Sequence, residues 1–322
     1  MTSIETRNLT MVYKSRRGGE IVAVEGLDLS IGAGEVFGLL GPNGAGKTTT
    51  IRMLCGLIRP TRGTVRIDGI DLSDRPADVR RRVALVPEDA GDFRNLTLLE
   101  ELDYYGALYG LDRPTVRRRS EELLARLGLA DRRDDLLKTF SRGMRRKFHL
   151  VRAVLHEPRV LLLDEPTAGL DPNVVEDVWG LLKALARERK VTVVLCSHHL
   201  EEVERLCDRV GILRRRLLVE GPLAELSGAH RTYRIRLADS SNGCAEAVSQ
   251  VAGVRRVERG ADDDRTLRVH LDGEPAAVVP EVVRRLVAAG AGVVEVAPHG
   301  RDLRSLYRDA VGEGSGGEGA TR

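Results

Sequence analysis

The 322-residue sequence predicts an α/β domain built on a mainly parallel sheet, followed by a smaller α+β domain. Short apolar runs rich in β-branched residues alternate with longer amphipathic stretches over the first two thirds of the chain. A regular alternation of strands and helices then fills the last third. Hydrophobic residues make up 42% and charged residues 31%, which is typical of globular proteins and excludes a mainly disordered chain.

Four short runs predict the central strands of the first domain, which we expect to span residues 1–225. They cover residues 35–40, 83–87, 159–165 and 191–197, and each is apolar on both faces, as in a parallel sheet covered by helices. The alternating segment IVAVEGLDLSI precedes them and indicates an antiparallel piece. Between the second and third runs, Arg- and Glu-rich amphipathic patterns predict a helical subdomain of about residues 88–158.

The second domain is predicted to span residues 226–311, after a break at the Gly221-Pro222 pair. Predicted strands at 232–238, 254–259, 265–271 and 292–298 and helices at 244–252 and 276–290 follow the order βαββαβ. That order is typical of a ferredoxin-like domain. A short helix is predicted at about 301–311, and the Gly-rich polar residues 312–322 are expected to be a disordered tail.

Charge and cysteine content narrow the classes of function. The formal net charge is only +3, which gives no argument for nucleic-acid binding. The four cysteines show no metal-ligand spacing, so we expect reduced thiols in a cytoplasmic protein. We expect no signal peptide, and the longest apolar runs are far below the roughly 20 residues that span a bilayer. We therefore expect any work at a membrane to be done through a partner.

The segment GPNGAGKTT fits the phosphate-binding pattern G-x-x-x-x-G-K-[ST]. It comprises Gly41, Pro42, Asn43, Gly44, Ala45, Gly46, Lys47, Thr48 and Thr49. The glycines allow main-chain N–H groups to point at a phosphate, where the following helix N-terminus also favours an anion. Lys47 adds a positive charge, and the Thr48 hydroxyl suits Mg²⁺. The alternative is a Gly-rich turn with a chance lysine, which does not account for the strand before the loop and the helix after it.

Two adjacent carboxylates, Asp164 and Glu165, end the apolar run VLLL. In proteins with this phosphate loop, an Asp at the end of such a strand holds Mg²⁺. The neighbouring Glu can orient or deprotonate an attacking water. The alternative is a buried strand that ends in a solvated acidic turn.

Residues 1 to about 225 resemble the ATP-binding subunit of ABC transporters. The resemblance rests on motifs that stand in the family's order and spacing. They are the phosphate loop, the Ser-x-Gly segment at Ser141, LLLDEP, residues 168–171 and Ser197-His198. Each motif alone is weak to moderate, whereas the ordered set is highly specific.

The resemblance implies roles for residues outside the phosphate loop. Tyr13 matches the aromatic residue that stacks on adenine, although it could be an ordinary strand tyrosine. Ser141 and Gly143 match the signature motif, which in the family contacts the γ-phosphate of ATP bound to the other subunit. Asp171 matches a loop that lines the dimer seam. His198 matches the switch histidine that contacts the γ-phosphate, and its alternative is a surface histidine beside a second one.

Two positions depart from the family's commonest pattern. Glu88 stands where Gln is usual, although it can still offer an oxygen to Mg²⁺. In the signature, Arg142 replaces Gly and Met144 replaces Gln, while the donors of Ser141 and Gly143 remain. Such variants look typical of subunits that serve ABC-2 type exporters. The layout of the second domain likewise resembles the appendage on ATPase subunits of ABC-2 exporters for drugs, antibiotics or polysaccharides.

The resemblance therefore implies an ATPase that uses ATP and Mg²⁺ and powers an ABC transporter, with an ABC-2 type exporter favoured. The implied catalytic residues are Lys47, Glu165 and His198, and the implied metal ligands are Thr48, Glu88 and Asp164. A homodimer is expected, bound at the inner face of the cell membrane through permease subunits, with no nucleic-acid partner.

One alternative is a soluble ABC ATPase that acts on ribosomes or DNA. Ribosome-acting members usually carry two ATPase halves, whereas this chain has one phosphate loop, and the stretch from Lys47 to Ser141 is too short for a long coiled-coil arm. Another alternative, a nucleotide kinase or GTPase, would lack the signature segment in this order.

Overall fold

The computed structural model describes residues 2–15, 18–226, 232–240, 243–260, 263–298 and 303–312. It divides into two compact units, Met1–Gly221 with the chain from Ala310 on, and Pro222–Asp309. The division falls at the Gly221-Pro222 pair, slightly before the predicted boundary after residue 225. Of the predicted tail, only Gly312 is described, at the end of a helix, and residues 313–322 lie outside the described residues.

The first unit contains two sheets and the helices around them. Its strands are β1 (Thr2–Lys14), β2 (Glu20–Gly32), β3 (Val36–Leu40), β4 (Arg62–Ile67), β5 (Ile70–Asp71), β6 (Val83–Val86), β7 (Val160–Asp164), β8 (Thr192–Ser197), β9 (Arg209–Arg214) and β10 (Arg216–Pro222). Its helices are α1 (Lys47–Leu54), α2 (Pro76–Arg82), α3 (Leu98–Leu108), α4 (Arg113–Arg126), α5 (Arg142–Val154), α6 (Pro172–Arg189) and α7 (Leu200–Leu206).

The larger sheet has the strand order β10-β9-β3-β8-β7-β6. Every residue of β3, β7 and β8 is buried, and the pairs β3–β8, β3–β9, β7–β8 and β6–β7 are parallel. The four predicted central strands are confirmed, because runs that are apolar on both faces need cover on both faces. Parallel neighbours end at one edge, so the segments after β3, β7 and β8 meet there.

The smaller sheet, in the order β2-β1-β4-β5, is antiparallel. The alternating segment near the N-terminus lies in β2, as predicted. One apolar core joins the two sheets, with Ile4 and Val24 from the small sheet, Phe37 from the large sheet and Ile51 from α1. This core holds β2 beside the loop that leads into α1.

Helices α3, α4 and α5 lie between β6 and β7, where the sequence predicts helices. The start of each is fixed by a polar side chain. Thr97 accepts a hydrogen bond from Glu100 N at 3.2 Å and Asp112 from Thr115 N at 2.9 Å. Ser141 accepts one from Met144 N at 3.2 Å, so α5 begins directly after this serine. Two short 3₁₀ turns, Ala130–Arg132 and Leu137–Thr139, connect α4 to α5.

The second unit is a four-stranded antiparallel sheet with helices. Its elements are α8 (Leu223–Leu226), β11 (Thr232–Leu237), α9 (Cys244–Ser249), β12 (Val254–Arg259), β13 (Thr266–Leu271), α10 (Pro275–Ala288) and β14 (Val293–Pro298), before α11 (Leu303–Gly312). The sheet order β12-β13-β11-β14 is that of the predicted ferredoxin-like fold. Ile235 and Leu237 of β11 are buried while Arg234 and Arg236 are exposed, so the alternation in sequence sets the face that meets the core.

All four cysteines, Cys55, Cys196, Cys207 and Cys244, are free and buried. Burial raises the pKa of the Cys196 and Cys207 thiols well above the usual range, which keeps both thiols protonated. Among the described helices, none combines the length and apolar character needed to cross a bilayer.

Candidate active site

Residues 41–46 form the turn from β3 into α1, and two of its glycines are required sterically. Gly46 has a φ of 103°, and a Cβ there would lie 2.4 Å from Ala23 O. A Cβ on Gly41 would lie 2.4 Å from Leu213 O. The loop therefore passes too close to β2 and β9 for any larger residue. The loop leads directly into the N-terminus of α1, where main-chain N–H groups and the helix dipole favour an anion.

Lys47, the first residue of α1, folds back over the loop. Its Nζ donates to Gly41 O at 2.6 Å and to Pro42 O at 3.4 Å, and lies 3.6 Å from Glu165 Oε1. The side chain is only 6% exposed, so little water competes for this ammonium group. A phosphate oxygen carries negative charge that the two carbonyls lack, so it would displace them as the acceptor of this ammonium group.

Glu165 contacts a second basic group. Its Oε1 lies 2.9 Å from His198 Nδ1. The glutamate side chain is 9% exposed and the histidine side chain 44%, so the pair has one buried end and one end that faces outward. β7 and β8 are parallel neighbours, with Asp164 opposite Cys196, and this register brings the two residues to one edge of the sheet. Lys47, Glu165 and His198 thus form one chain of contacts.

The main chain at Glu165 adopts a conformation that is rare for a residue with a side chain. Its φ is 47°, in the left-handed region, which costs on the order of 1–3 kcal/mol. Glu165 N donates to Cys196 O at 2.9 Å, which fixes the turn to the end of β8. Strain of this kind persists only where the surroundings hold it, and here it lies at the carboxylate that the resemblance makes catalytic.

Asp164, Thr48 and Glu88 offer oxygen atoms that fit a hard cation. Burial raises the pKa of the Asp164 carboxyl, and the hydrogen bond from Thr48 opposes that shift. Asp164 Oδ1 is buried without a hydrogen-bond partner among the described residues. Thr48, Glu88 and Asp164 line the same cavity. A buried carboxylate oxygen with no donor is a position that a cation can satisfy, and Mg²⁺ prefers carboxylate and hydroxyl ligands.

Most of the predicted site residues line one cavity of about 470 Å³. They are Pro42, Asn43, Gly44, Ala45, Gly46, Lys47, Thr48, Thr49, Glu88, Asp164, Glu165 and His198. The structure thus gathers residues from four separate stretches of sequence. Gly41 contacts Lys47 at the base of the same loop.

Besides Gly41, four predicted residues are not among those that line this cavity. Tyr13 lies on β1 opposite Ile21, which does line it, and is 37% exposed. Ser141 is exposed before α5, with Gly143 in the first turn of that helix. Asp171 is exposed at the start of α6. The exposure of Ser141 and Asp171 leaves them accessible to another chain.

The cavity is also lined by four residues that were not predicted from the sequence, Ile21, Val22, Ala23 and Arg215. Arg215 has a φ of 61°, and its N–H donates to Ala45 O at 2.8 Å. No motif marks these positions, because they reach the cavity only through the packing of β2 and β9 around the phosphate loop.

Arg146 was likewise not predicted from the sequence as part of the site. Its guanidinium is buried and donates to Pro166 O at 2.6 Å, Pro87 O at 2.7 Å, Glu165 O at 2.8 Å, Asp164 O at 3.0 Å and Glu88 O at 3.3 Å. Burial lowers the pKa of this guanidinium, and the nearby carboxylates oppose that shift. One signal was available in the sequence, since Arg146 stands at helical spacing from Leu150 and Val154 on the buried stripe of α5.

Arg142, the departure from the usual signature, has a visible consequence. Its Nη2 donates to Ala168 O at 2.8 Å. The guanidinium also occupies the space beside Gly169, where a Cβ would lie 2.5 Å from Nη1. The arginine therefore connects the signature segment to the loop that leads to Asp171.

Comparison with known protein families matches residues 24–168 to the ABC transporter family. The daunorubicin/doxorubicin resistance ATP-binding protein DrrA of Streptomyces peucetius is 40% identical over 86% of this chain and 79% of its own length. The bacitracin transport ATP-binding protein BcrA of Bacillus licheniformis is 39% identical over 72% of this chain and 74% of its own length. These relatives favour a transporter subunit over an ATPase that acts on ribosomes or DNA.

Solved structures give the same assignment. The ATP-binding subunit of an ABC transporter aligns with a TM-score of 0.64 and 32% identity, over 70% of this chain and 92% of that one. A dimeric ATP-binding cassette in a post-hydrolysis state, with ADP and Pi bound, aligns with a TM-score of 0.63 and 27% identity, over 68% of this chain and 98% of that one. The chain therefore belongs to the ABC transporter family, as one of its ATP-binding, ATP-hydrolysing subunits.

Proposed function

We propose that this chain hydrolyses Mg²⁺-bound ATP between two copies of itself and so powers a membrane exporter of antibiotic-like molecules. The observation that carries the catalytic part is the chain of contacts Lys47–Glu165–His198 beside the unpaired oxygen of Asp164. At one cavity, these contacts bring together the Lys47 ammonium for phosphate binding, the Glu165 carboxylate as the base and the His198 imidazole.

In the proposed mechanism, Glu165 is the general base and accepts a proton from the attacking water. His198 Nδ1, at 2.9 Å, orients the carboxylate, and the His198 side chain lines the same cavity. Lys47 exchanges its carbonyl acceptors for phosphate oxygens and neutralises charge that develops in the transition state. Asp164, Thr48 and Glu88 would hold Mg²⁺, which when bound neutralises charge on the phosphates.

We further propose that each site is completed by a second copy. Ser141 and Asp171 are exposed and do not line the cavity that holds Lys47. The Ser141 hydroxyl accepts its capping hydrogen bond from Met144 N, so its own proton remains free to donate to a phosphate oxygen. The dimeric state of the solved cassette supports the same arrangement.

The proposed partner is an ABC-2 type permease, which would hold the chain at the inner face of the cell membrane. An exposed aromatic pair, Phe93 and Tyr104, supports a protein contact near the loop that carries Glu88, because exposed apolar groups mark interaction sites. Relatives named for resistance to daunorubicin and doxorubicin and for transport of bacitracin support an antibiotic as the cargo.

We also propose that residues 226–311 form an accessory domain with no part in nucleotide handling. None of the described residues of this stretch lines the cavity around Lys47.

Replacing Glu165 with Gln tests the catalytic proposal. Removing a general base typically costs about 10²–10⁴-fold in turnover, and the isosteric amide leaves the cavity shape unchanged. We expect ATP binding to persist, measured with a fluorescent ATP analogue, while steady-state hydrolysis nearly disappears. Hydrolysis at half the wild-type rate would remove Glu165 from the role of base.

The cargo proposal is tested in the native host. Cells that carry the Glu165→Gln chain are compared with wild-type cells for growth on an anthracycline, on bacitracin and on a ribosome-directed antibiotic as control. We expect increased sensitivity to one of the first two compounds and not to the control. If cells with the Glu165→Gln chain grew as well as wild-type cells on both the anthracycline and bacitracin, the assignment of the cargo would be contradicted.

A further inference from the structure

Arg146 lies beneath the catalytic carboxylates and uses every one of its N–H groups. An arginine has five N–H donors, and here all five reach main-chain carbonyls. Two of the carbonyls belong to the loop of Glu88, and three belong to residues 164–166. One side chain therefore joins two segments that supply oxygens to the cavity.

The contacts of Arg146 are directed at the strained part of the main chain. Its Nη2 donates to the carbonyls on both sides of the turn, Asp164 O and Glu165 O. Glu165 itself has the left-handed φ of 47°. The planar guanidinium fixes the directions of these carbonyls, and their peptide planes determine where the Glu165 side chain leaves the backbone.

The helix that carries Arg146 also carries the signature segment. α5 begins directly after Ser141, with Gly143 in its first turn, and Arg146 follows one turn later. A hydrogen-bonded helix moves as a unit over so short a distance. Arg146 therefore connects the helix that follows Ser141 to the main chain at Glu88 and Glu165.

Two further buried groups, Thr167 and Glu202, lie near the Arg146 guanidinium and the segment that follows Glu165. The Thr167 hydroxyl donates to Glu202 Oε1 at 2.7 Å, which joins residue 167 to α7 after His198. Glu202 is 2% exposed and its charge favours the protonated guanidinium of Arg146. The guanidinium is thus compensated by carbonyl dipoles and by a buried carboxylate, which offsets the cost of burying a charge.

We propose that Arg146 is a positioning residue that sets the Glu165 carboxylate for attack and links it to the signature helix. This inference rests on the proposed role of Glu165 as base. Arg146 is not among the residues that line the nucleotide cavity, so its loss should affect turnover rather than ATP affinity.

The test compares Arg146→Met and Arg146→Lys with a matched control, Lys147→Met. Lys147 is the next residue of α5 and also donates to a main-chain carbonyl, Leu127 O at 3.1 Å, and to Asp177 Oδ2 at 2.5 Å, rather than to the main chain at Asp164 and Glu165. A misplacement of about 1 Å can cost about 10²-fold in rate, so we expect kcat of Arg146→Met to fall by about that factor with ATP affinity unchanged. Lysine has three donors against five, so Arg146→Lys should fall between wild type and Arg146→Met.

A double-mutant cycle separates positioning from a general structural role. If Arg146 acts through Glu165, adding Arg146→Met to Glu165→Gln should lower the residual rate little further, because both remove the same contribution. Additive losses would overturn the proposal. So would folded Arg146 variants with wild-type kcat, or a kcat loss in Lys147→Met of equal size.

Failure to obtain folded protein from both Arg146 variants would also overturn it, since the arginine would then serve folding. Circular dichroism and thermal unfolding of all variants decide this point. An active Glu165→Gln chain would refute the proposed base itself. An inactive Glu165→Gln chain beside a fully active Arg146→Met chain would refute only the present inference.

Discussion

The first unit buries charged side chains, whereas the buried side chains described in the second unit are apolar. The buried charged and titratable residues are Lys47, Glu101, Arg146, His149, Asp164, Glu165 and Glu202. The core of the second unit consists of residues such as Ile235, Val248, Leu267 and Leu286. None of the charged residues described in it is fully buried, and pairs such as those that Glu295 makes with Arg234 and Arg236 are exposed.

This difference fits the proposal that the first unit handles the nucleotide and the second does not. Burying an ionised group is costly unless it is paired and hydrogen-bonded, so a fold keeps such groups where they are used. In the first unit some of them face the cavity, and others hold the segments around it. Glu101, for example, accepts from Arg152 at 2.6 Å and from Phe93 N at 2.7 Å, which anchors the loop beyond Glu88.

The largest predicted effect concerns the sharing of the site between copies. Lys47→Ala and Ser141→Arg chains should each be inactive, because each lacks one half of both sites in a homodimer. Mixing them creates one dimer site with Lys47 and Ser141 both intact, so ATP hydrolysis should partly return. Steady-state ATPase is measured on each variant and on the mixture at equal total protein.

Activity of wild-type protein should also rise faster than linearly with concentration, since association completes the site. Strictly proportional activity from a chain that stays monomeric would refute the shared site.

Matched core deletions should have different consequences in the two units. Leu162 on β7 and Leu267 on β13 are both fully buried, and Leu→Ala typically costs about 2–5 kcal/mol of unfolding free energy. We expect Leu162→Ala to lower stability and ATP hydrolysis together, because β7 ends at the two carboxylates. Leu267→Ala should lower stability and leave hydrolysis near the wild-type rate. Urea unfolding and ATPase assays check both, and a large loss of hydrolysis in Leu267→Ala would contradict the separation.

Acid should destabilise the first unit through His149. Burial, and next the charge of Arg152, lower the pKa of His149 to about 3, while Asp92 Oδ2 lies 3.7 Å from its Nε2. The unfolded chain therefore binds the proton first, so the stability present above about pH 6.5 is lost as the pH falls toward 3. The expected loss from this group is about 2 kcal/mol between pH 7 and pH 5.

The control for this prediction is His149→Gln, which cannot titrate. Urea unfolding at pH 7 and pH 5 should give a smaller decrease in unfolding free energy for the variant than for wild type. An equal decrease in both proteins would assign the acid sensitivity to other groups.

The smallest expected effect is on ATP binding, when residues 226–322 are removed. The truncation loses the contact of Val311 O with Arg214 Nη1 at 2.7 Å, which lies within the first unit, so some stability should be lost. The affinity for a fluorescent ATP analogue should stay at the wild-type value. Loss of binding by a truncation that is folded, as judged by circular dichroism, would make the second unit part of nucleotide handling.

Local patterns were sufficient to predict most elements of the chain. Runs that are apolar on both faces located the central strands, and alternating apolar and polar residues located the βαββαβ order. Both patterns were readable because side-chain periodicity follows from strand and helix geometry alone. The phosphate loop was predictable for a similar reason. Its glycines and lysine act within nine consecutive residues, so the spacing in sequence is also the spacing in space.

The sequence by itself therefore determined the fold class and the family, and it located the phosphate-loop pattern and the two adjacent carboxylates along the chain. Only the tertiary structure decided that Glu165 lies between Lys47 and His198, since this depends on β7 and β8 ending side by side. It also decided the partners of Arg146, which are five main-chain carbonyls in two distant segments. Carbonyls are common to every residue and carry no sequence signal, so a side chain that recognises them can be identified only when the chain has folded around it.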